Sequence, residues 1–275
     1  MSEECTHDCA NCAKKKEGGC GDPKSFQVPQ NARSHVKKVI AVMSGKGGVG
    51  KSMVTELLAV GAAKRGLKTA ILDADITGPS IPTAFGVTER AAADGEGGIL
   101  PCRSMTGIGM MSLNLLVENP KDPVVWRGPV IAGAVKQFWS DVSWGDVDVM
   151  FVDMPPGTGD VPLTVFQSLP ITGVVVVTSP QDLVQLIVEK AVRMADMMKV
   201  PVLGLVENMS AFKCPDCGKV HHIFGESKAA ALAAEHKIGA VASLPIDPVF
   251  AKSVDAGQVE QCDASALDKV LDAVV

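Results

Sequence analysis

Ser44-Gly45-Lys46-Gly47-Gly48-Val49-Gly50-Lys51-Ser52 carries the most legible chemistry in this chain. Its glycines let consecutive backbone N–H groups curl around an anion, and a helix N-terminus adds partial positive charge. Lys51 is long enough to reach β- and γ-phosphates, and the Ser52 hydroxyl can ligate Mg²⁺. The context agrees, because Val39 to Met43 reads as a short buried strand and Met53 to Lys64 as a helix. Gly45, Lys46, Gly47, Gly48, Val49, Gly50, Lys51 and Ser52 are therefore expected to bind a nucleotide, ATP by preference, with Mg²⁺.

Three acids fall where open α/β sheets gather their chemistry, at the carboxyl ends of strands. Asp153 closes the apolar run that starts at Val147, a position from which a carboxylate holds Mg²⁺ directly or through water. The loop after it, Pro155 to Asp160, contains Gly157, whose N–H can meet a γ-phosphate and relax after hydrolysis. Asp73 and Asp75 follow the run Thr69 to Leu72. Asp73 reads equally well as an anchor for its loop and as a catalytic group.

The chain has eight cysteines, which in a reducing compartment point to metal or redox chemistry rather than disulfides. Cys5, Cys9, Cys12 and Cys20, spaced C-x3-C-x2-C-x7-C, supply four soft ligands, enough for Zn²⁺ or an iron–sulfur cluster. Residues 1–35 have almost no aliphatic side chains, so this stretch is either disordered or folded around a metal. Cys214-Pro215-Asp216-Cys217-Gly218 offers two thiolates where a metal normally needs four ligands. His221 and His222 could complete a zinc site, the pair could be a redox dithiol, or the turn could have no ligand role. In the remaining arrangement a two-fold axis brings two copies of the pair together. Cys102 and Cys262 have no neighbouring ligand and read as small apolar residues.

These residues need a scaffold that alternates strands and helices. Gly173 to Thr178 is continuous β-branched sequence of the kind found in a central parallel strand, and Val202 to Val206 and Ala240 to Leu244 read as further strands. Helices are expected over Val130 to Trp139, Leu183 to Lys199, Ala229 to His236 and Ala264 to Val274. Met194, Met197 and Met198 fall at helical spacing as core fillers. Ala91 to Gly98 reads as a mobile connection. The expected fold is α/β, a phosphate-binding-loop NTPase with a mostly parallel sheet and helices on both faces. Residues 1–35 form a Cys-rich metal-binding tail and linker, and residues 36–275 the ATPase domain. A net charge of −5 argues against a nucleic-acid surface, and no apolar run is long enough to span a bilayer. With no apolar leader at Met1 to Asp8, the expected location is the cytoplasm.

The second lysine, Lys46, makes the loop resemble the deviant Walker A ATPases, which include Mrp, ParA, MinD and nitrogenase iron protein. That resemblance implies a homodimer sandwiching two nucleotides, with Lys46 reaching the partner's phosphates as a trans-acting cation and Asp75 orienting the attacking water. It also matches Asn208 to an asparagine that reads adenine; a turn-forming role is the alternative. Glu207 to Gly218 with Ile223-Phe224-Gly225, Asp73 to Ser80, Trp126-Arg127-Gly128-Pro129 and Asp153 to Asp160 together resemble the Mrp (ApbC-type) iron–sulfur cluster carrier ATPases. Membership implies a [4Fe–4S] cluster bridged by Cys214 and Cys217 of two chains and delivered to apo-proteins. The N-terminal cysteines resemble the ferredoxin-like extension of eukaryotic cytosolic scaffold members, with a shorter gap between Cys5 and Cys9. A spatial organiser of the ParA or MinD kind would leave Cys214 and Cys217 idle; an ATP-driven electron donor like nitrogenase reductase is the other alternative.

Overall fold

A computed structural model describes residues 26–76, 78–117, 126, 128–181 and 184–275. Cys5, Cys9, Cys12, Cys20, Thr77 and Arg127 lie outside the described residues.

The chain enters the domain early. Val28 donates its N–H to the Ser168 carbonyl at 2.8 Å, and the Trp139 indole N–H donates to the Val28 carbonyl at 2.9 Å. Strand β1 (Ser34–Met43) leads into the glycine loop and helix α1 (Lys51–Lys64). Then come β2 (Thr69–Asp73), α2 (Ile81–Ala84), β3 (Cys102–Arg103), β4 (Gly109–Met111), α3 (Gly128–Ser140) and β5 (Gly145–Asp153). The second half runs α4 (Asp160–Ser168), β6 (Gly173–Thr178), α5 (Val184–Met197), β7 (Val202–Glu207), a hairpin of β8 (Phe212–Lys213) and β9 (Val220–His221), α6 (Ala229–Glu235), β10 (Ala240–Ser243), α7 (Pro248–Asp255) and α8 (Asp268–Val274).

The main sheet has the order β10-β7-β6-β1-β5-β2-β4-β3, parallel throughout except for the β3–β4 pair. The expected parallel α/β architecture is what forms, and its cause is visible in β1. Side chains alternate across a strand, so Val39, Ala41 and Met43 join one apolar layer while Ile40 and Val42 join the other. Strand β1 lies between β5 and β6 in the middle of the sheet, so both layers must be apolar. Register then fixes the working edge, with Asp153 opposite both Val42 and Asp73, and Glu207 opposite both Thr178 and Ser243.

Helix α1 packs under the second layer, and at Gly61 a Cβ would strike Leu271 of α8. The closing helix is shorter than its sequence pattern suggests, because Ser265–Leu267 makes a separate 3-10 turn before α8. Met194 is buried as expected, whereas Met197 is 77% exposed because it falls on the solvent side of α5 at its last turn. The connection read as mobile is tied down. Asp94 accepts hydrogen bonds from the Glu96 and Gly98 N–H groups and from the Ser143 hydroxyl, and pairs with Arg33 at 2.5 Å.

Candidate functional site

The glycine loop sits at the carboxyl end of β1. Gly48 and Gly50 take positive φ values of 78° and 80°, which turn the backbone tightly before α1. Gly50 is the N-cap of α1, and a Cβ there would strike the Asn208 side chain. The loop encloses a cradle of about 230 Å³ lined by Gly47, Gly48, Lys51, Ser52, Asp75 and Pro156, among others. Lys51 and Ser52 start the helix, so their backbone N–H groups and the helix dipole face this space.

Inside the cradle the side chains hold one another. Asp153 Oδ1 accepts from Lys51 Nζ and from the Thr55 hydroxyl, both at 2.8 Å, while Oδ2 accepts from the Ser52 hydroxyl at 2.7 Å. Lys51 Nζ also lies 3.5 Å from Asp75 Oδ2. Asp73 is fully buried beside Asp153, accepting from the Ser112 hydroxyl at 2.8 Å and the Asp75 N–H at 3.1 Å. Burial first, and then the Asp153 charge, pushes its pKa from 3.8 up to about 8. Glu56, on α1, is raised well above the ordinary carboxylate range for the same two reasons. Four acids, Asp73, Asp75, Asp153 and Glu56, thus crowd one lysine, an arrangement that favours an added cation.

The Gly157 N–H donates to the Ser44 carbonyl at 2.9 Å. Lys46 folds back over its own chain, with Nζ donating to the Gln181 Oε1 amide oxygen. Asn208, buried at the end of β7, donates from Nδ2 to the Val49 carbonyl at 2.9 Å, while its Oδ1 accepts from Met209 N–H at 2.9 Å. Both ends of the side chain are therefore engaged, and it clamps the glycine loop. Beside it opens a mainly apolar cavity of about 440 Å³ lined by Met53, Leu57, Asn208, Phe224, Ile246 and Phe250, among others. Met53 lines both this cavity and the phosphate cradle.

Cys214 and Cys217 occupy the turn of the β8–β9 hairpin. Phe212 pairs with His221; Cys214 N–H donates to the Lys219 carbonyl and Gly218 N–H to the Cys214 carbonyl, both at 2.9 Å. Gly218, at φ 71°, makes the reversal. The Cys217 and Asp216 N–H groups, with the Cys217 side chain, hold the Cys214 thiol below its ordinary pKa of 9.0. Cys214 is partly exposed and Cys217 exposed. His222 Nδ1 is spent on the Ser210 carbonyl at 3.2 Å, and no group of three His, Cys, Asp or Glu side chains among the described residues is arranged to hold a metal. Cys102 and Cys262 are partly buried, with burial pushing both thiols up.

The structure thus gathers Lys46, Lys51, Ser52, Asp75, Asp153, Gly157 and Asn208 at one edge of the sheet, with the Cys214–Cys217 hairpin attached to it. Sequence reasoning missed Thr55, Gln181 and the Leu244–Asp247 side of the cavity. Thr55 lies four residues after Lys51, the spacing that stacks two side chains on one helical face, so it was open to detection. Gln181 carried no comparable signal.

A family model described as NUBPL iron-transfer P-loop NTPase (ParA) matches residues 35–275. A protein from Clostridium perfringens named iron-sulfur cluster carrier protein is 42% identical over 267 residues, covering 92% of this chain and 93% of that one. A nucleotide-binding protein from Archaeoglobus fulgidus, solved in complex with ADP and with cobalt found in it, is 46% identical, with a TM-score of 0.74 and coverage of 82% and 88%. The cell division ATPase MinD of Pyrococcus furiosus shares the fold at 18% identity, with a TM-score of 0.58 and coverage of 86% and 98%.

Proposed function

This chain belongs to the NUBPL iron-transfer P-loop NTPase family, and we propose that it is an ATP-dependent iron–sulfur cluster carrier that hands a [4Fe–4S] cluster to apo-proteins. One observation carries the reading: a phosphate cradle and a two-cysteine hairpin are built on the same sheet edge, and the hairpin is two ligands short. A second copy across a two-fold axis supplies the missing pair, so the carrier works as a homodimer. The pair of thiolates is then what each chain contributes to the cluster, and Cys214 is already favoured by donated N–H groups.

In the ATPase half, the N–H groups of Gly45 to Ser52 surround the phosphates. Lys51 leaves Asp153 for the β- and γ-phosphate oxygens, while Asn208 keeps the glycine loop in shape and borders the base. The Gly157 N–H breaks from Ser44 to meet the γ-phosphate, and returns when phosphate departs. Asp75 orients the water whose attack on phosphorus releases ADP and phosphate, and Lys46 leaves Gln181 for the partner's nucleotide. The Ser52 hydroxyl and the Asp153 carboxylate, converging at 2.7 Å as two hard oxygen donors, fit Mg²⁺. When bound, Mg²⁺ neutralises charge on the phosphate oxygens. No described helix is long and apolar enough to cross a membrane, and the reading places the protein in a reducing cytoplasm. Cys5, Cys9, Cys12 and Cys20 form a second, separate metal site in this reading.

The test is anaerobic reconstitution with iron and sulfide, followed by iron counting, Mössbauer spectroscopy and transfer to an apo-protein. A Cys214→Ala/Cys217→Ala variant is expected to lose one cluster per dimer and all transfer while still binding ATP. Unchanged iron and transfer in that variant would overturn the assignment.

A further inference from the structure

The chain that leaves the cysteine hairpin turns back onto the nucleotide side of the molecule. Phe224, half-buried and seven residues beyond Cys217, forms part of the wall of the 440 Å³ cavity. The chain that enters the hairpin is bound to another wall of the same cavity. Ser210 donates from its N–H and its hydroxyl to the Leu244 carbonyl at 2.9 and 3.0 Å, and Ile246 N–H donates to the Ala211 carbonyl at 2.7 Å. Phe212 and Ile246 form a parallel bridge. Beyond Phe224, the Lys228 N–H reaches the buried carboxylate of Glu207, at the end of β7, at 3.3 Å. The hairpin's entry strand is thus fixed by backbone bonds to the Leu244–Ile246 wall, whereas its exit meets the cavity through one partly exposed aromatic ring.

We propose that Phe224 is the positioning residue through which a nucleotide base and a metal on Cys214 and Cys217 change each other's affinity. The inference rests on the reading that both ligands bind, and it adds the route between them. Met53 borders both cradle and cavity, so a nucleotide whose phosphates lie against Lys51 extends its base toward Phe224. A base stacked on this ring pins the exit segment, so a metal that must order the same segment meets a smaller entropy cost. Coupling of this kind is reciprocal and typically amounts to about 5- to 150-fold in affinity.

The test uses full-length protein with Cys5, Cys9, Cys12 and Cys20 changed to Ser, and cobalt(II) as the probe, read by its thiolate charge-transfer absorption. ADP is expected to tighten cobalt binding at least about fivefold, and cobalt to tighten ADP binding by the same factor. Inorganic tripolyphosphate, which fills the cradle and leaves the cavity empty, is expected to leave cobalt binding unchanged. Phe224→Ala abolishes the ADP effect and Phe224→Tyr, which keeps a ring, restores it. Equal coupling by tripolyphosphate, or full coupling in Phe224→Ala, overturns the role of Phe224. A protein that binds ADP and cobalt with no mutual effect also overturns it, yet leaves the carrier reading standing. Failure to bind cobalt, or binding that survives Cys214→Ser/Cys217→Ser, overturns the cysteine assignment itself and the inference with it.

Discussion

Asp153 gathers three donors on one buried carboxylate, and the proposed reaction needs two of them elsewhere. In that proposal Lys51 turns to phosphate and Ser52 to a cation, which leaves Thr55, at 2.8 Å, as the bond that keeps Asp153 aimed. Thr55 is fully buried and sits one turn along α1 from Lys51. Thr55→Val keeps the volume and deletes the hydroxyl. Loss of a hydrogen bond to a charged, buried acceptor costs about 1.5–3 kcal/mol, so the melting temperature falls. An outer partner of a metal ligand commonly controls about 10- to 100-fold in metal affinity. Magnesium-dependent stabilisation of the ADP complex, followed by thermal shift, should therefore need at least about tenfold more Mg²⁺ in Thr55→Val and return to normal in Thr55→Ser. An unchanged magnesium requirement would make Thr55 a packing residue only. That Lys51, Ser52 and Asp153 would meet was legible in the sequence, because short-range spacing and a strand end place them together. The Asn208–Val49 clamp and the Lys46–Gln181 bond join residues far apart in the chain, and no local pattern encodes such a meeting.

At the scale of elements, the strands of the main sheet were legible wherever both faces are buried, because continuous β-branched runs such as Gly173 to Thr178 have few other solutions. Short pieces were less legible. Strands β8 and β9 have two residues each, and their pairing depends on the turn at Gly218 rather than on alternation. Ala91 to Gly98 looked mobile because it is polar and glycine-rich, but Asp94 organises it. The Ser143 hydroxyl, the Glu96 N–H, the Gly98 N–H and the Arg33 charge bring the Asp94 pKa down from 3.8 to about 2. The folded chain therefore surrenders this proton more readily than the unfolded chain. Its stabilisation is complete above about pH 4 and is lost as pH falls toward 2. Asp94→Asn lacks this titration, so the gap in urea midpoint between wild type and variant should be widest at pH 5 and narrow steadily toward pH 2.5. A gap independent of pH would mean that Asp94 acts through shape alone.

For the whole molecule, the proposal that Lys46 works for a neighbour's nucleotide rather than its own has a direct test. Its bond to Gln181 shows that the side chain has a resting place within its own chain, and the deviant glycine loop together with the proposed two-chain cysteine site argues for a working place outside it. Two inactive variants decide between these. Lys46→Ala has an intact pocket but no lysine to lend, whereas Asp75→Asn has a disabled pocket and a lysine to spare. Alone, each homodimer should turn over slowly, with the loss of a trans-acting cation costing about 10³–10⁵ in rate. Mixed in equal amounts, random pairing makes half of the dimers hybrid, and each hybrid has one pocket that combines its own Asp75 with the partner's lysine. Hydrolysis should then recover to about a quarter of the wild-type rate per site, the share of competent pockets in such a closed two-fold assembly. Recovery should vanish on dilution below the dimer's dissociation range and return on concentration. If Lys46 serves its own pocket, mixing restores nothing at any concentration, because one partner lacks the cation and the other lacks the acid.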